Sequence, residues 1–357
     1  MPPVLRPRVG RGETASRALV AFWLGTFPIA GRAAELARMA EGDGWDGLAF
    51  TDSQNLGGDT FAALAIAAHV TQRITLATGA TNPATRHPAV VASAIATIQV
   101  ESHGRAFLGI ARGDSALAYV GRKPMPLADF ALALRAIQAY LRGEAIDCDG
   151  FASQIQWLSG GDLARPLMSV AATGPNVIRL AAQVADAITF SVGAEPSRVR
   201  SCIELARQAR TQAGLPPLRL GAYVNAVAHP DVAVARDLVR GRLGVYARFS
   251  TMSRSVLASL PEPDRRVAED LVSSYDMQSH AASGARHEAA LADDFVDRFG
   301  VVGPSEHVAE RLAELVALGL DHLVIVGHSR NTPPEVFAES SRRFGQEVIP
   351  AVKRAVG

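Results

Sequence analysis

A regular alternation of short apolar runs and longer helical patterns is the feature that most constrains how this chain can fold. Val, Ile, Leu and Phe dominate the runs, whereas Ala, Leu, Arg and Glu recur at helical spacing between them. Such alternation is typical of βα units with parallel strands. Eight runs fit the pattern, which predicts an α/β fold, the (β/α)8 TIM barrel. The predicted strands are 18–24, 47–51, 74–78, 106–110, 167–172, 187–191, 219–226 and 321–326.

The length of 357 residues exceeds what a plain barrel needs, which is about 250 residues. We assign most of the surplus to a helical insertion after the seventh strand, at about 232–294, where helical patterns occur without a convincing strand. Residues 1–17 are predicted to form a flexible leader, and 18–357 a single barrel domain. The less regular stretch 144–166 is compatible with a short hairpin.

Composition and charge argue against several classes of function. The 36 Lys and Arg residues nearly balance the 35 Asp and Glu residues, so the chain lacks the basic surplus that binds a nucleic-acid backbone. No run of about 18 apolar residues can span a membrane, and 1–17 lacks the apolar segment of a signal peptide. Cys148 and Cys202 are far apart without CxxC spacing, which excludes a disulfide framework. We expect a cytoplasmic protein without membrane or nucleic-acid partners.

Candidate site residues are sought in the loops that follow the strands, because function resides there in TIM barrels. Asp114 follows the fourth strand beside Arg112, and it fits either a general acid or base or a rim ion pair. His328 directly follows the eighth strand, which leaves a catalytic and a structural role open. The sequence Thr-Gly-Pro-Asn at 173–176 begins a helix and fits either an anion site or an ordinary turn. No histidines show HxH or HExxH spacing, so no metal site is predicted.

Several sequence segments together resemble a known family. The segment 77–90 reads ATGATNPATRHPAV, and SAIAT at 93–97, GRAFLGI at 104–110 and GDS at 113–115 follow it. Further segments are ATGP at 172–175, VADA at 184–187 and FGVVGP at 299–304. These segments resemble the bacterial luciferase-like superfamily, and within it most of all methylenetetrahydromethanopterin reductase and related enzymes that use the deazaflavin coenzyme F420. The resemblance covers most of the barrel, but not 1–17 or the insertion.

The resemblance implies a cofactor site at the carboxyl ends of the strands. The deazaflavin ring would lie over a bulge after the third strand, which contains a non-prolyl cis peptide bond, here Gly79-Ala80. Asp52 resembles an acidic residue near the polar edge of the cofactor, and Ser53 stands where the family often has a histidine that donates a proton. Asp114 matches a carboxylate near the reactive centre. The implied cofactor-binding residues are Asp52, Gly79, Ala80, Thr81, Arg112, Gly113 and the phosphate cradle Thr173, Gly174, Pro175 and Asn176; Asp114, Ser53 and His328 are the catalytic candidates.

The implied function is hydride transfer between reduced F420 and a small organic substrate. The first alternative is an FMN-dependent monooxygenase of the same superfamily, which a separate reductase supplies with reduced flavin. The second alternative is a flavin-binding barrel that has lost catalysis, because the family histidine is absent. The resemblance also implies a homodimer.

The insertion follows the seventh strand on the catalytic face, so it is expected to form a lid or wall that selects the substrate. Met and aromatic side chains in helices are more often core than ligand contacts, and both interpretations stay open here. Candidates for the lining are Tyr246, Arg248, Phe249, Met252, Arg254 and Tyr275. Trp23, near the end of the first strand, either walls the pocket or plugs the barrel.

Overall fold

Eight parallel strands close into a barrel, which confirms the predicted TIM barrel fold. The computed structural model describes residues 20–160, 163–251 and 254–357, so the predicted leader lies outside the described residues. The barrel strands are β1 Ala21–Thr26, β2 Gly47–Phe50, β3 Thr75–Thr78, β4 Ala106–Ile110, β7 Leu167–Ala172, β8 Ala187–Phe190, β9 Arg219–Val224 and β12 His322–Ile325. Their order around the barrel is β1-β12-β9-β8-β7-β4-β3-β2, with β1 next to β2. Two further pairs are β5 Ile146–Cys148 with β6 Phe151–Ser153, and β10 Ala226–Ala228 with β11 Val301–Gly303.

Helices cover the outside of the barrel and the ends of its strands. Those before β9 are α1 Ala33–Asp43, α2 Thr60–Val70, α3 Pro88–Glu101, α4 Ser115–Ala118, α5 Leu127–Leu141, α6 Pro175–Val184 and α7 Pro196–Gln212. Those after it are α8 Val232–Thr251, α9 Arg254–Ser259, α10 Glu262–Ser274, α11 Asp293–Phe299, α12 Ser305–Ala317, α13 Pro334–Arg343 and α14 Ile349–Val356. In the described part of the chain, no helix is long and apolar enough to cross a membrane.

Local sequence signals fix several helix ends. α1 ends at Gly44, whose φ of 97° belongs to the left-handed region that glycine adopts without steric cost. α2 begins after Asp59, whose carboxylate accepts a hydrogen bond from the Ala62 N–H at 2.9 Å. α3 begins at Pro88, as the proline predicted. These ends place the loops after β2 and β3 where the site is built.

The predicted seventh strand is in fact two strands. Asn225 separates β9 from β10, and its side-chain amide donates to the Val326 carbonyl oxygen at 2.9 Å. Its own carbonyl oxygen accepts from the Val301 N–H at 2.8 Å. The chain therefore leaves the barrel at Asn225 and pairs with β11 before the insertion begins. The predicted short hairpin within 144–166 is present as the antiparallel pair of β5 and β6.

Trp23 is part of the barrel interior and does not line the pocket. Its ring stacks on His322 with a centroid separation of 4.5 Å and meets Phe107 edge-on at 4.7 Å. His322 Nε2 lies 3.0 Å from Thr189 Oγ1, which lies 2.8 Å from Ser169 Oγ. This buried layer closes the barrel, so the open end lies at the carboxyl ends of the strands.

The helical insertion after β9 forms a second small core above the barrel. Buried apolar side chains of α8, α10 and α11 pack together there, among them Val239, Leu243, Leu271 and Val296. The predicted range of 232–294 is slightly short, because α11 continues to Phe299. The insertion therefore covers the open end of the barrel as a lid.

Candidate active site

A cavity of about 650 Å³ lies between the carboxyl ends of the barrel strands and the lid. Its wall includes eleven of the residues that the sequence assigned to the site, and they come from the loops after β2, β3, β4 and β7. The structure thus brings together residues that are more than 120 positions apart in the chain. These residues are Asp52, Gly79, Ala80, Thr81, Arg112, Gly113, Asp114, Thr173, Gly174, Pro175 and Asn176.

The expectation that Ser53 and His328 face the same cavity needs correction. Ser53 is buried away from the cavity wall, and its hydroxyl has no hydrogen-bond partner among the described residues. The His328 ring instead meets Phe337 of α13 edge-on at 5.3 Å. The physical reason is that the Ser329 N–H donates to the Leu238 carbonyl oxygen, which fixes the turn of the chain after β12. Burial lowers the pKa of His328 to about 4, so its ring is neutral.

The loop after β3 forms the floor of the cavity. The Gly79-Ala80 peptide bond is cis, as the resemblance implied. The Gly79 N–H donates to the Phe50 carbonyl oxygen at 2.7 Å, and the Thr81 N–H to the Gly109 carbonyl oxygen at 2.9 Å. A side chain at Gly109 of β4 would collide with the Thr78 carbonyl oxygen, so this close approach requires glycine at that position. Backbone contacts from both neighbouring strands therefore hold the floor in place.

Asp52 ties this floor to the loop after β2. Its carboxylate accepts a hydrogen bond from Thr81 Oγ1 at 2.6 Å, and from Arg86 Nε at 3.2 Å and Nη2 at 3.3 Å. Arg86 also bonds Asp59 at 2.7 Å. Sequence reasoning missed Arg86 as a partner, although it lies within the family-like segment. The negative charge of Asp52 is thus already balanced.

Asp114 forms an ion pair with Arg248 of the lid helix α8. Burial raises the pKa of the Asp114 carboxyl, and the charge and hydrogen bond of Arg248 oppose that rise. The Arg248 guanidinium lies 4.6 Å from the centroid of the Tyr275 ring, and Tyr275 Oη lies 2.8 Å from His280 Nδ1. Burial, together with the positive charge of Arg248, lowers the pKa of His280 to about 3, so this ring is neutral. Both interpretations of Asp114 meet here, because the carboxylate of this ion pair also faces the cavity.

The start of α6 provides a cradle for an anion. Gly174 is the N-cap and Pro175 the first residue of the helix, so the N–H groups of Asn176 and Val177 have no acceptor within the helix. The positive end of the helix dipole adds to their attraction for negative charge. Ser191, just after β8, has a buried hydroxyl in the same cavity wall without a hydrogen-bond partner among the described residues. These donors suit a phosphate group and the hydroxyls next to it.

The lid supplies contacts that the sequence only partly revealed. Tyr246 and Phe249 line the cavity, and Arg248 reaches it through Asp114; Met252 and the side chain of Arg254 lie outside the described residues. Sequence reasoning missed further wall residues, namely Phe27, Lys123, Tyr223, Arg242 and Val245. Phe27 follows a strand and could have been collected on that ground; the residues of α8 gave no signal beyond helical spacing.

Comparison with known proteins is consistent with this geometry. A family model described as luciferase-like monooxygenase matches residues 10–322. The 5,10-methylenetetrahydromethanopterin reductase of Methanolobus tindarius is 26% identical over 301 residues, which cover 82% of this chain and 88% of that protein. The F420-dependent glucose-6-phosphate dehydrogenase of Beutenbergia cavernae is 29% identical over 336 residues, 88% of this chain and 91% of that protein.

Solved structures with the same fold include proteins that differ in cofactor. The coenzyme F420 dependent tetrahydromethanopterin reductase of Methanopyrus kandleri superposes with a TM-score of 0.75 at 23% identity, covering 93% of this chain and 99% of that one. The oxygenating constituent of 3,6-diketocamphane monooxygenase from Pseudomonas putida, in complex with FMN, superposes with a TM-score of 0.67 at 19% identity, covering 93% and 98%. Both likenesses concern the fold.

Proposed function

Because the chain belongs to the luciferase-like monooxygenase family, we propose that it transfers hydride between reduced coenzyme F420 and a small organic substrate. It is an enzyme, an oxidoreductase of the flavin or deazaflavin type. The observation that carries the proposal is the single cavity that joins the floor at Gly79 and Ala80, the cradle at 173–176 and Asp114. The relatives support F420 as the cofactor, since the relative from Beutenbergia cavernae is named an F420-dependent dehydrogenase.

The residues present fit such a cofactor. The unpaired Ser191 hydroxyl and the free N–H groups of Asn176 and Val177 would hold its phosphate end. The floor at Gly79 and Ala80, fixed by backbone bonds to β2 and β4, would support its ring. F420 carries two electrons as hydride when it is bound, and the protein supplies binding, orientation and electrostatics.

Asp114 is the group that would move a proton. It lies at the cavity wall, and burial raises its pKa above the ordinary value of an aspartate against the opposing effect of Arg248, which suits a carboxyl that alternates between acid and base. Arg248 fixes the orientation of the carboxylate from the lid, and the aromatic rings of Tyr246 and Phe249 exclude water from the same space. The substrate would lie between Asp114 and these rings.

Titration of the purified protein with F420 and with FMN tests the proposal. Fluorescence quenching should show F420 binding with a lower Kd than FMN, and reduced F420 should be oxidised in the presence of an acceptor. Tighter binding of FMN, with oxygen-dependent turnover supplied by a separate flavin reductase, would establish the monooxygenase alternative instead. Cofactor binding without turnover of any acceptor would establish a binding protein.

Asp114→Asn provides the mechanistic arm of the same experiment. The variant should bind F420 as the wild type does but lose most of its turnover, by a factor of about 100 to 10,000 for a lost general acid or base. Asp129→Asn, at an exposed position of α5, is the matched control and should retain full activity. Unchanged turnover in Asp114→Asn would remove Asp114 from the mechanism.

A further inference from the structure

Arg242, in the middle of the lid helix α8, is a buried cation for which the described part of the chain provides no anionic partner. Its exposed fraction is 4%, and its side chain lines the cavity. Among the residues that the structure describes, none forms a hydrogen bond or ion pair with its guanidinium, and its Nε is buried and unpaired. Lone buried charges are costly to a fold unless something pairs with them. The arrangement therefore points to a ligand that brings the missing negative charge.

Within the described parts of the chain, the surroundings of Arg242 offer no negative charge to neutralise it. Its guanidinium lies 4.1 Å from the centroid of the Phe27 ring, which stabilises a cation only in part. The titratable groups that face it are Tyr246, which burial keeps protonated by raising its pKa, and the neutral rings of His280 and His328. None of these three side chains carries a negative charge near neutral pH.

The two carboxylates of the cavity wall are already paired with other cations. Asp52 is bound by Arg86, and Asp114 by Arg248. Arg86 also pairs with the exposed carboxylate of Asp59, so both carboxylates of the wall are engaged by arginines other than Arg242. Of the described cations that line the cavity without a carboxylate partner, Arg112 is half-buried and Lys123 is exposed, whereas Arg242 is buried and lies against apolar and aromatic groups.

Arg242 lies across the barrel from the phosphate cradle. Phe27, which it contacts, follows β1, whereas the cradle follows β7. In the barrel order β1-β12-β9-β8-β7-β4-β3-β2, these two strands are four positions apart in either direction. A cofactor that runs from the cradle to the floor after β3 would leave the sector of β1 and the lid to the substrate.

We propose that Arg242 binds a carboxylate of the substrate, so that the enzyme acts on an organic acid with an apolar or aromatic body. The assignment rests on the proposed function, because that function places the cofactor on the opposite side of the cavity. A guanidinium matches the planar carboxylate with two parallel hydrogen bonds, and a single cation balances its single charge. The rings of Phe27, Tyr246 and Phe249 would pack against the body of the acid.

Calorimetric titration with benzoate and with its neutral isostere benzamide tests this assignment. Wild-type protein, with and without saturating F420, should bind benzoate in preference to benzamide. Arg242→Met keeps the apolar stem and removes the charge, and it should weaken benzoate binding about tenfold or more with little effect on benzamide. Arg242→Lys should restore part of the loss, whereas Arg200→Gln, at an exposed position of α7, should bind as the wild type does.

Each contrary result has a distinct meaning. No preference for benzoate over benzamide in the wild type, or equal benzoate binding in Arg242→Met, would overturn the proposal. Tighter binding of phenyl phosphate than benzoate would overturn the choice of a carboxylate. Weaker F420 binding in Arg242→Met would show that Arg242 serves the cofactor, and would overturn it as well. If the wild type binds neither F420 nor FMN, the proposed function fails, and the benzoate comparison without cofactor still decides the role of Arg242.

Stability measurements guard against a misfolded variant. Arg242→Met removes an unpaired buried charge, so its Tm should equal or exceed that of the wild type. If this variant does not fold, the lysine variant and its partial loss of benzoate preference carry the comparison.

Discussion

Replacement of either member of the ion pair between Asp114 and Arg248 should destabilise the protein strongly, and replacement of both should cost no more than replacement of one. Their side chains are only 18% and 14% exposed. Loss of one partner from a buried pair leaves the other charge uncompensated, which costs about 3 to 5 kcal/mol. Because both side chains keep some exposure, we expect a loss of about 3 kcal/mol in the free energy of unfolding for Asp114→Asn and for Arg248→Met alike. The double variant should lose about 3 kcal/mol or less, which gives a coupling of at least about 3 kcal/mol.

Urea unfolding at pH 7, followed by circular dichroism, measures these four free energies. A matched control is the surface pair of Arg142 and Glu144, whose side chains are 44% and 51% exposed. Its coupling should be below about 1 kcal/mol, because solvent screens exposed charges. Effects of Asp114→Asn and Arg248→Met that add to within about 0.5 kcal/mol would refute the reasoning, since additive effects mean that the two groups do not interact.

Three further predictions concern the barrel interior and the floor of the site. Burial lowers the pKa of His322 to about 3, so only the unfolded chain gains a proton as the pH falls below about 6.5, and stability should decline from there toward pH 3. The Tm of the wild type should therefore fall between pH 7 and pH 5, and the fall should be smaller in His322→Gln. An equal fall of Tm in the two proteins would contradict this role of His322. Gly109→Ala should cost about 1 to 3 kcal/mol in urea unfolding because its Cβ would meet the Thr78 carbonyl oxygen, whereas Gly42→Ala, with open space around it, should not destabilise α1. Asp52→Asn should weaken cofactor binding about tenfold in the titration by loosening the floor, since a charge-assisted hydrogen bond is lost, and an unchanged Kd would refute that role.

The fold was accessible from the sequence because strands and helix ends leave local traces. The apolar runs gave the barrel strands to within a few residues, and Gly44 and Asp59 marked helix ends through their own backbone and side-chain chemistry. The division at Asn225 was not accessible, since it depends on bonds to Val326 and Val301, which lie far along the chain.

The site was accessible only in part, for a related reason. Proximity to a strand end placed Asp52 and Asp114 correctly in the cavity wall, but it says nothing about which way the next side chain turns. Ser53 and His328 point elsewhere because later loops and helices fix the course of the chain. The partner of Asp114 is 134 residues away in an insertion without a motif, so no spacing could have indicated Arg248.

Charge balance illustrates the same limit and bears on what the enzyme recognises. The net charge of +1 gave no reason to expect a cationic pocket. In the folded chain, however, Asp52 and Asp114 are each paired with an arginine, and the buried Arg242 has no anionic partner among the described residues. The net charge of a buried site depends on which of its charged groups are paired with each other, and the total charge of the chain does not reveal this. Salt screens the charges of such a site far less than it screens exposed charges. In the proposed enzyme, backbone N–H groups hold the phosphate of the cofactor at the cradle, and Arg242 holds the carboxylate of the substrate across the barrel. Raised ionic strength should therefore weaken benzoate binding only slightly, whereas a surface cation would lose most of its attraction.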